Sequence, residues 1–311
     1  MIFEKIFTGS ELLLTEAALV ERLKSEFHLK MDPHINHAGL IYTHPEVLEF
    51  LYRQYISIGQ KHDLPVMIMT PTRKVNEESA GRSAFRYQKI LQDASRLLNR
   101  IREDAGEYSG RIMIGGLLGC RGDAYSGKKE LDAEEAFRFH QRQTMQFIPE
   151  NIDYLFAGIM PEINESIGMA RAMAETGLPY IISFMLRKEG CLPDGTYLCD
   201  AIQMIDKQLD PPPLCYMTNC IHPSNLIKAL SHEYNANRPE LSRFMGIQAN
   251  ASDLSPEALN NCQVLQQGDF YRMAEEMHFL RKKYNLKIFG GCCGTNDTFL
   301  KMLSKKLTET A

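Results

Sequence analysis

Two short segments hold the residues with the most chemical potential in this 311-residue chain. Gly290-Gly291-Cys292-Cys293-Gly294-Thr295 places two adjacent thiols between glycines, and Asn219-Cys220 closes a separate apolar run. Glycine has no Cβ, so the backbone there can bend and come close to another group. Successive residues point to opposite faces of a regular strand, so both adjacent sulfurs face one point only if the backbone leaves β geometry. Cys220, Cys292 and Cys293 could then form a three-thiolate metal site. Zn2+ suits that donor set, being borderline-soft and free of redox chemistry, with a fourth tetrahedral position left open. A free thiol of pKa about 8.5 is barely ionised at neutral pH, whereas a metal-bound one is deprotonated outright. Two plainer readings compete: buried cysteines as apolar filling, and a disulfide within the adjacent pair. The long gap between Cys220 and Cys292 is unlike local zinc-finger spacing.

Something must bring these segments together, and the rest of the chain supplies a candidate. Short apolar runs alternate with helical patterns from end to end. Strands are predicted over residues 4–9, 65–70, 111–118, 152–160, 180–186, 214–220, 243–250 and 287–292. Leu19, Leu23 and Phe27 repeat at helical spacing, and Thr43-His44-Pro45-Glu46 and Asp132 with Glu135 read as capping boxes. Further helices are expected over 84–102, to about 147 from Asp132, and over 165–175, 196–209, 223–231, 270–284 and 297–307. Strand–helix alternation of this kind predicts a (β/α)8 TIM barrel, one α/β domain over 1–311. A doubly wound sheet is the competing architecture, but no glycine-rich dinucleotide fingerprint supports it. In a barrel, Cys220 ends strand six and Cys292–Cys293 end strand eight, where alternate strands feed one interior layer. Cys215, five residues before Cys220, is expected on the opposite strand face. Long polar loops at 69–83, 120–131 and 250–267 follow strand ends on that same face.

Composition narrows the function classes. With 35 Lys and Arg against 39 Asp and Glu, the net charge of −4 offers no footprint for nucleic acid. No apolar run approaches the ~18–20 residues of a membrane span. Glu4, Lys5 and Glu11 interrupt any signal-peptide core near the start. The 8 cysteines are therefore expected as reduced thiols in the cytoplasm.

The Asn219-Cys220 segment with Pro223, together with Gly290-Gly291-Cys292-Cys293-Gly294-Thr295, resembles the homocysteine S-methyltransferase family. Weaker echoes are Gly9, Pro45-Glu46, Gly59, Ser183-Phe184 and Asp194-Gly195-Thr196; Met217 stands where the family usually has glycine. The resemblance spans nearly the whole chain and implies the barrel fold and a zinc site of Cys220, Cys292 and Cys293. It implies a small-molecule thiol, with homocysteine the first choice, and a methyl donor that together give a thioether such as methionine. Gly9, Glu11, Asn219, Gly291 and Asn250 are the substrate-facing set carried by the resemblance. Two family acids that hold homocysteine's ammonium group correspond to Thr8 and Ala157 here, with Glu11 or Glu162 placed to compensate. On that alignment, Ala157→Glu should restore a preference for homocysteine. Two alternatives stay open: methyl transfer to another thiol, and a zinc-binding barrel that docks a separate corrinoid methyl-carrier protein.

Overall fold

Strands buried on both faces read as continuous apolar runs rather than alternating ones, and Val66-Met67-Ile68-Met69, all buried, is such a run. Eight of them close a parallel barrel in sequence order. They are β1 (Leu13–Thr15), β2 (Val66–Met69), β3 (Ile112–Gly119), β4 (Tyr154–Met160), β5 (Tyr180–Met185), β6 (Cys215–Ile221), β7 (Phe244–Ala249) and β8 (Ile288–Gly291). β8 returns to pair with β1 through Leu13 opposite Ile288. This computed structural model describes residues 2–126, 128–129, 131–254 and 268–309. No helix among the described residues is long and apolar enough to cross a membrane.

Strand parity divides the core. Leu14, Val66, Ile68, Ile114 and Leu155 face outward beneath the helical shell. Leu13, Met67, Met113, Ile181, Cys215, Met217 and Ile288 face inward and fill the barrel. Cys215 is thus interior packing. Met217 has room because Gly246 stands beside it, where a Cβ would come within 3.3 Å of the methionine methyl.

The helices follow their predicted faces more closely than their predicted ends. Pro45–Lys61 buries Leu48, Leu51, Tyr52 and Tyr55 as expected. Its N-cap is His44 without a side-chain cap bond, so the expected capping box is absent. The box at Asp132 is present: its carboxylate accepts from the Glu134 and Glu135 N–H groups, and Glu135 reaches back to the Asp132 N–H. The helix predicted from residue 84 begins at Ile90. Local bonding holds the chain out of the helix before that point, with the Phe85 N–H on Ser83 Oγ and Ser83 on Asp32.

The first predicted strand is a correction. Residues Ile2–Gly9 form a helix, and the first strand is the next apolar run, Leu13–Thr15. Phe3 and Phe7 stand four residues apart, a helical spacing that puts both rings on one face. That face closes the N-terminal end of the barrel. Phe3 stacks on Tyr154 at 4.7 Å between ring centroids, and Lys287 donates from Nζ to the Phe7 carbonyl. Both phenylalanines are buried among the inward residues of the strands. Phe3→Ala should therefore lower unfolding free energy by about 3 kcal/mol, measured by denaturant titration, while leaving the far end of the barrel unchanged.

Candidate active site

Regular alternation would send Cys220 outward, because Asn219 before it points into the barrel. The chain breaks that rule locally. Cys220 has a left-handed backbone, φ 55°, and the β6–β7 register shifts between Asn219 and Ile221. The bulge spends one residue out of register and re-aims the cysteine into the mouth. A left-handed non-glycine residue costs on the order of 1–3 kcal/mol, and such strain gathers at functional sites. Across the mouth, the Cys292 N–H donates to the Ala249 carbonyl and the Cys293 carbonyl accepts from Ala251, so the adjacent pair continues beside β7. Gly294, at φ 74°, then turns the chain, and Thr295 Oγ1 closes the turn on the Cys292 carbonyl at 2.6 Å.

The three sulfurs meet. All lie within 4.8 Å of one another. Cys220 and Cys292 are joined as a disulfide with Cα atoms 5.5 Å apart, so the bridge runs between strands rather than within the adjacent pair. Cys293 keeps a free thiol, 3.8 Å from the Cys220 sulfur and 4.0 Å from that of Cys292. Sulfurs bound tetrahedrally at about 2.3 Å from zinc stand about 3.8 Å apart. The two open separations already match that edge, so the donor set fits zinc once the bridge is reduced. Burial, and then the Glu21 carboxylate, push the metal-free Cys293 thiol up to about 12.

Beneath the sulfurs runs a chain of hydrogen bonds whose direction is fixed end to end. Ile159, itself left-handed at φ 58° in a second bulge, donates its N–H to Asn219 Oδ1 at 3.3 Å. Asn219 Nδ2 must then donate to Gln248 Oε1, and Gln248 Nε2 donates to Thr15 Oγ1 at 3.0 Å. The Thr15 hydroxyl passes on to the Glu16 carbonyl, which also accepts from the Gly291 N–H at 3.1 Å. This chain links β4, β6, β7, β1 and β8 under the mouth. It explains the glycines of β8 as well: a Cβ on Gly290 would strike Thr15 Oγ1, and one on Gly291 would strike Thr295 Oγ1.

The cavity at the mouth measures about 310 Å³ and is lined by the three cysteines, Asn219, Gln248 and Gly291 among others. Glu16 is the acid that the sequence reading missed. Placing the first strand at 4–9 hid it, whereas the true β1 ends one residue before it. Glu16 is 6% exposed and accepts the Met69 N–H through Oε2 at 2.8 Å. Burial pushes its carboxyl up to about 8 against the opposing effect of that hydrogen bond. Glu21 also lines the cavity, and its carboxylate accepts the Gly294 N–H.

Several expected positions lie elsewhere. Thr8 and Gly9 end the N-terminal helix, and the Glu11 side chain is 94% exposed with Arg281 3.7 Å away, all at the closed end of the barrel. Ala157 faces the outer core, so Ala157→Glu would bury a carboxylate among apolar residues instead of facing substrate. The β4 residues that line the cavity are Phe156, Gly158 and Ile159, the last in the bulge. Glu162 cannot swing in, because it caps the helix Ile163–Ala174 by accepting the Glu165 N–H. Asn250 forms a turn with the Ser252 N–H and does not line the cavity, and His222 caps the helix Pro223–Ser231. Cys262 lies outside the described residues.

The raised Glu16 carboxyl makes stability depend on pH. Between about 4.5 and about 8 the folded chain holds a proton that the unfolded chain has released. Stability from this group is therefore present at low pH and lost as pH rises through that window. Glu16→Gln should remove the decline, gaining on the order of a few kcal/mol over the parent above pH 8. Melting curves of both proteins across this range check it.

The family profile for homocysteine S-methyltransferase matches residues 13–307. Betaine–homocysteine S-methyltransferase 1 from Bos taurus is 20% identical over 323 residues, covering 98% of this chain and 74% of its own. The homocysteine methyltransferase MmuM from Escherichia coli, in its metallated form, superposes with a TM-score of 0.76 at 18% identity, covering 98% of this chain and 100% of that one. Its oxidized form superposes with a TM-score of 0.77, also at 18% identity, over 98% and 99% of the two chains. With the match running from the first strand through the last helix, this chain belongs to the homocysteine S-methyltransferase family.

Proposed function

We propose that this protein is a zinc-dependent S-methyltransferase of the cytoplasm, taking homocysteine as acceptor and forming methionine. One observation carries the reading: three sulfurs converge at the mouth of a small cavity, and the two separations not closed by the bridge suit tetrahedral zinc. Cys220, Cys292 and Cys293 would hold the ion. When bound, it would take a substrate thiol at the open fourth position and keep that sulfur ionised without a general base.

The remaining work belongs to the chain. Asn219, Gln248 and Thr15 hold the cavity floor in one orientation, so the acceptor has a fixed seat, and positioning of two partners supplies much of the rate. Glu16, which lines the same cavity, would receive the ammonium group. Protonated when the cavity is empty, its carboxyl would release its proton when a cationic group arrives, because a nearby positive charge favours the ionised form. The chemical step is an in-line displacement. The sulfur–methyl bond forms as the bond from methyl to a positively charged sulfur or nitrogen breaks, and the donor departs with that electron pair.

Under reducing conditions the protein should take up zinc, and Cys220→Ser, Cys292→Ser or Cys293→Ser should each abolish high-affinity binding and methyl transfer. Cys120→Ser, a buried thiol outside the cavity, should leave zinc content unchanged. Metal analysis paired with a thiol and methyl-donor panel reads both. Equal zinc loss in the Cys120 variant would sink the assignment.

A further inference from the structure

The cavity that holds the cysteines carries a cation with no counter-ion among the described residues. Arg73 is half-buried and lines the cavity, yet its guanidinium makes no hydrogen bond and no ion pair among the described residues. Other half-buried or buried arginines are tied down: Arg22 to Glu26, Arg102 to Asp153 and Arg243 to Asp206. The two cavity carboxylates are already engaged, Glu16 by the Met69 N–H and Glu21 by the Gly294 N–H. Neither reaches Arg73.

Its position is built. A Cβ on Gly119, at the end of β3, would come within 2.6 Å of the Arg73 carbonyl and 2.7 Å of its Cγ. The glycine thus gives the arginine stem a close seat. His37 lines the same cavity, is 7% exposed, and has an Nδ1 with no partner among the described residues. Burial, and then the Arg73 charge, push His37 down to about 3, so it is neutral and Arg73 is the charged member of the pair. A partly desolvated guanidinium is costly unless a partner arrives, and its planar fork matches a carboxylate through two parallel bonds. At about 310 Å³ the cavity admits amino-acid-sized compounds, which sets the scale of that partner.

We propose that Arg73 is the carboxylate-binding residue of this cavity, holding the carboxylate of a small ligand whose reacting end lies at the cysteines. This rests on the methyl-transfer reading for the ligand's identity, and the carboxylate can belong to either partner, the thiol or the methyl donor. The site selects carboxylated ligands over the same molecules without that group.

Calorimetric titration of the full chain tests it with two ligand pairs. Methionine against 3-(methylthio)propylamine reads the acceptor side, and glycine betaine against tetramethylammonium reads the donor side. The parent should bind the carboxylated member of at least one pair at least tenfold more tightly. Arg73→Met should bring that ratio near one with little change for the decarboxylated ligand, and Arg73→Lys should keep part of it. The pair that responds identifies the source of the carboxylate. No preference in either pair, or a preference that survives in a folded Arg73→Met protein, overturns the proposal. Zinc content is measured alongside. Failure to bind zinc would defeat the methyl-transfer reading while the carboxylate ratios still report on Arg73.

Discussion

Side-chain alternation along a strand is the constraint on which this site depends. In a regular barrel the inward positions are every second residue, and Asn219 and Cys220 cannot both serve the mouth. The bulge at Cys220 suspends the rule for one residue, and a matching bulge at Ile159 does so on β4. The two distortions are coupled, because the Ile159 N–H is satisfied by Asn219, the neighbour of Cys220. Strain of a few kcal/mol across two left-handed residues is offset by a buried hydrogen-bond chain in which each member fixes the next. Breaking such a chain in the middle is expensive, since a buried polar group left unpaired costs more than the bond contributed.

Much of this was legible in the sequence, for physical reasons that differ by element. The later seven strands were readable because double-faced burial demands unbroken apolar runs. The glycine–cysteine segment was readable because two thiols between glycines have few structural explanations. The first strand was not, because the apolar residues of 2–9 and 12–14 compete and only the closed end of the barrel decides between them. That error carried the expected acid position to Thr8 and hid Glu16. Ala157 was matched to a family acid by resemblance alone, but it faces the outer core, and the bulge beyond it brings Ile159 to the cavity instead. Asn250 and Glu162 look available in sequence, yet a turn and a helix N-terminus have already claimed their side chains.

The cavity also shows how membership of a family leaves selectivity to individual residues. The three cysteines and the glycines around them are set by geometry that tolerates little change, as the virtual Cβ collisions at Gly290 and Gly291 show. Other wall side chains come from loops rather than from the strands. Glu16, His37 and Arg73 come from loops after β1 and β2, and a barrel of this kind can alter such residues without disturbing the packing below.

The N-terminal helix gives the molecule a floor as well as a core. With Phe3 and Phe7 seated among the inward side chains, the barrel is stoppered at one end. In the proposed reaction, both reactants and both products would then use the opposite mouth. Whatever rests deepest has to enter first and leave last, so the order of traffic is written into the plumbing of the barrel before any affinity is considered.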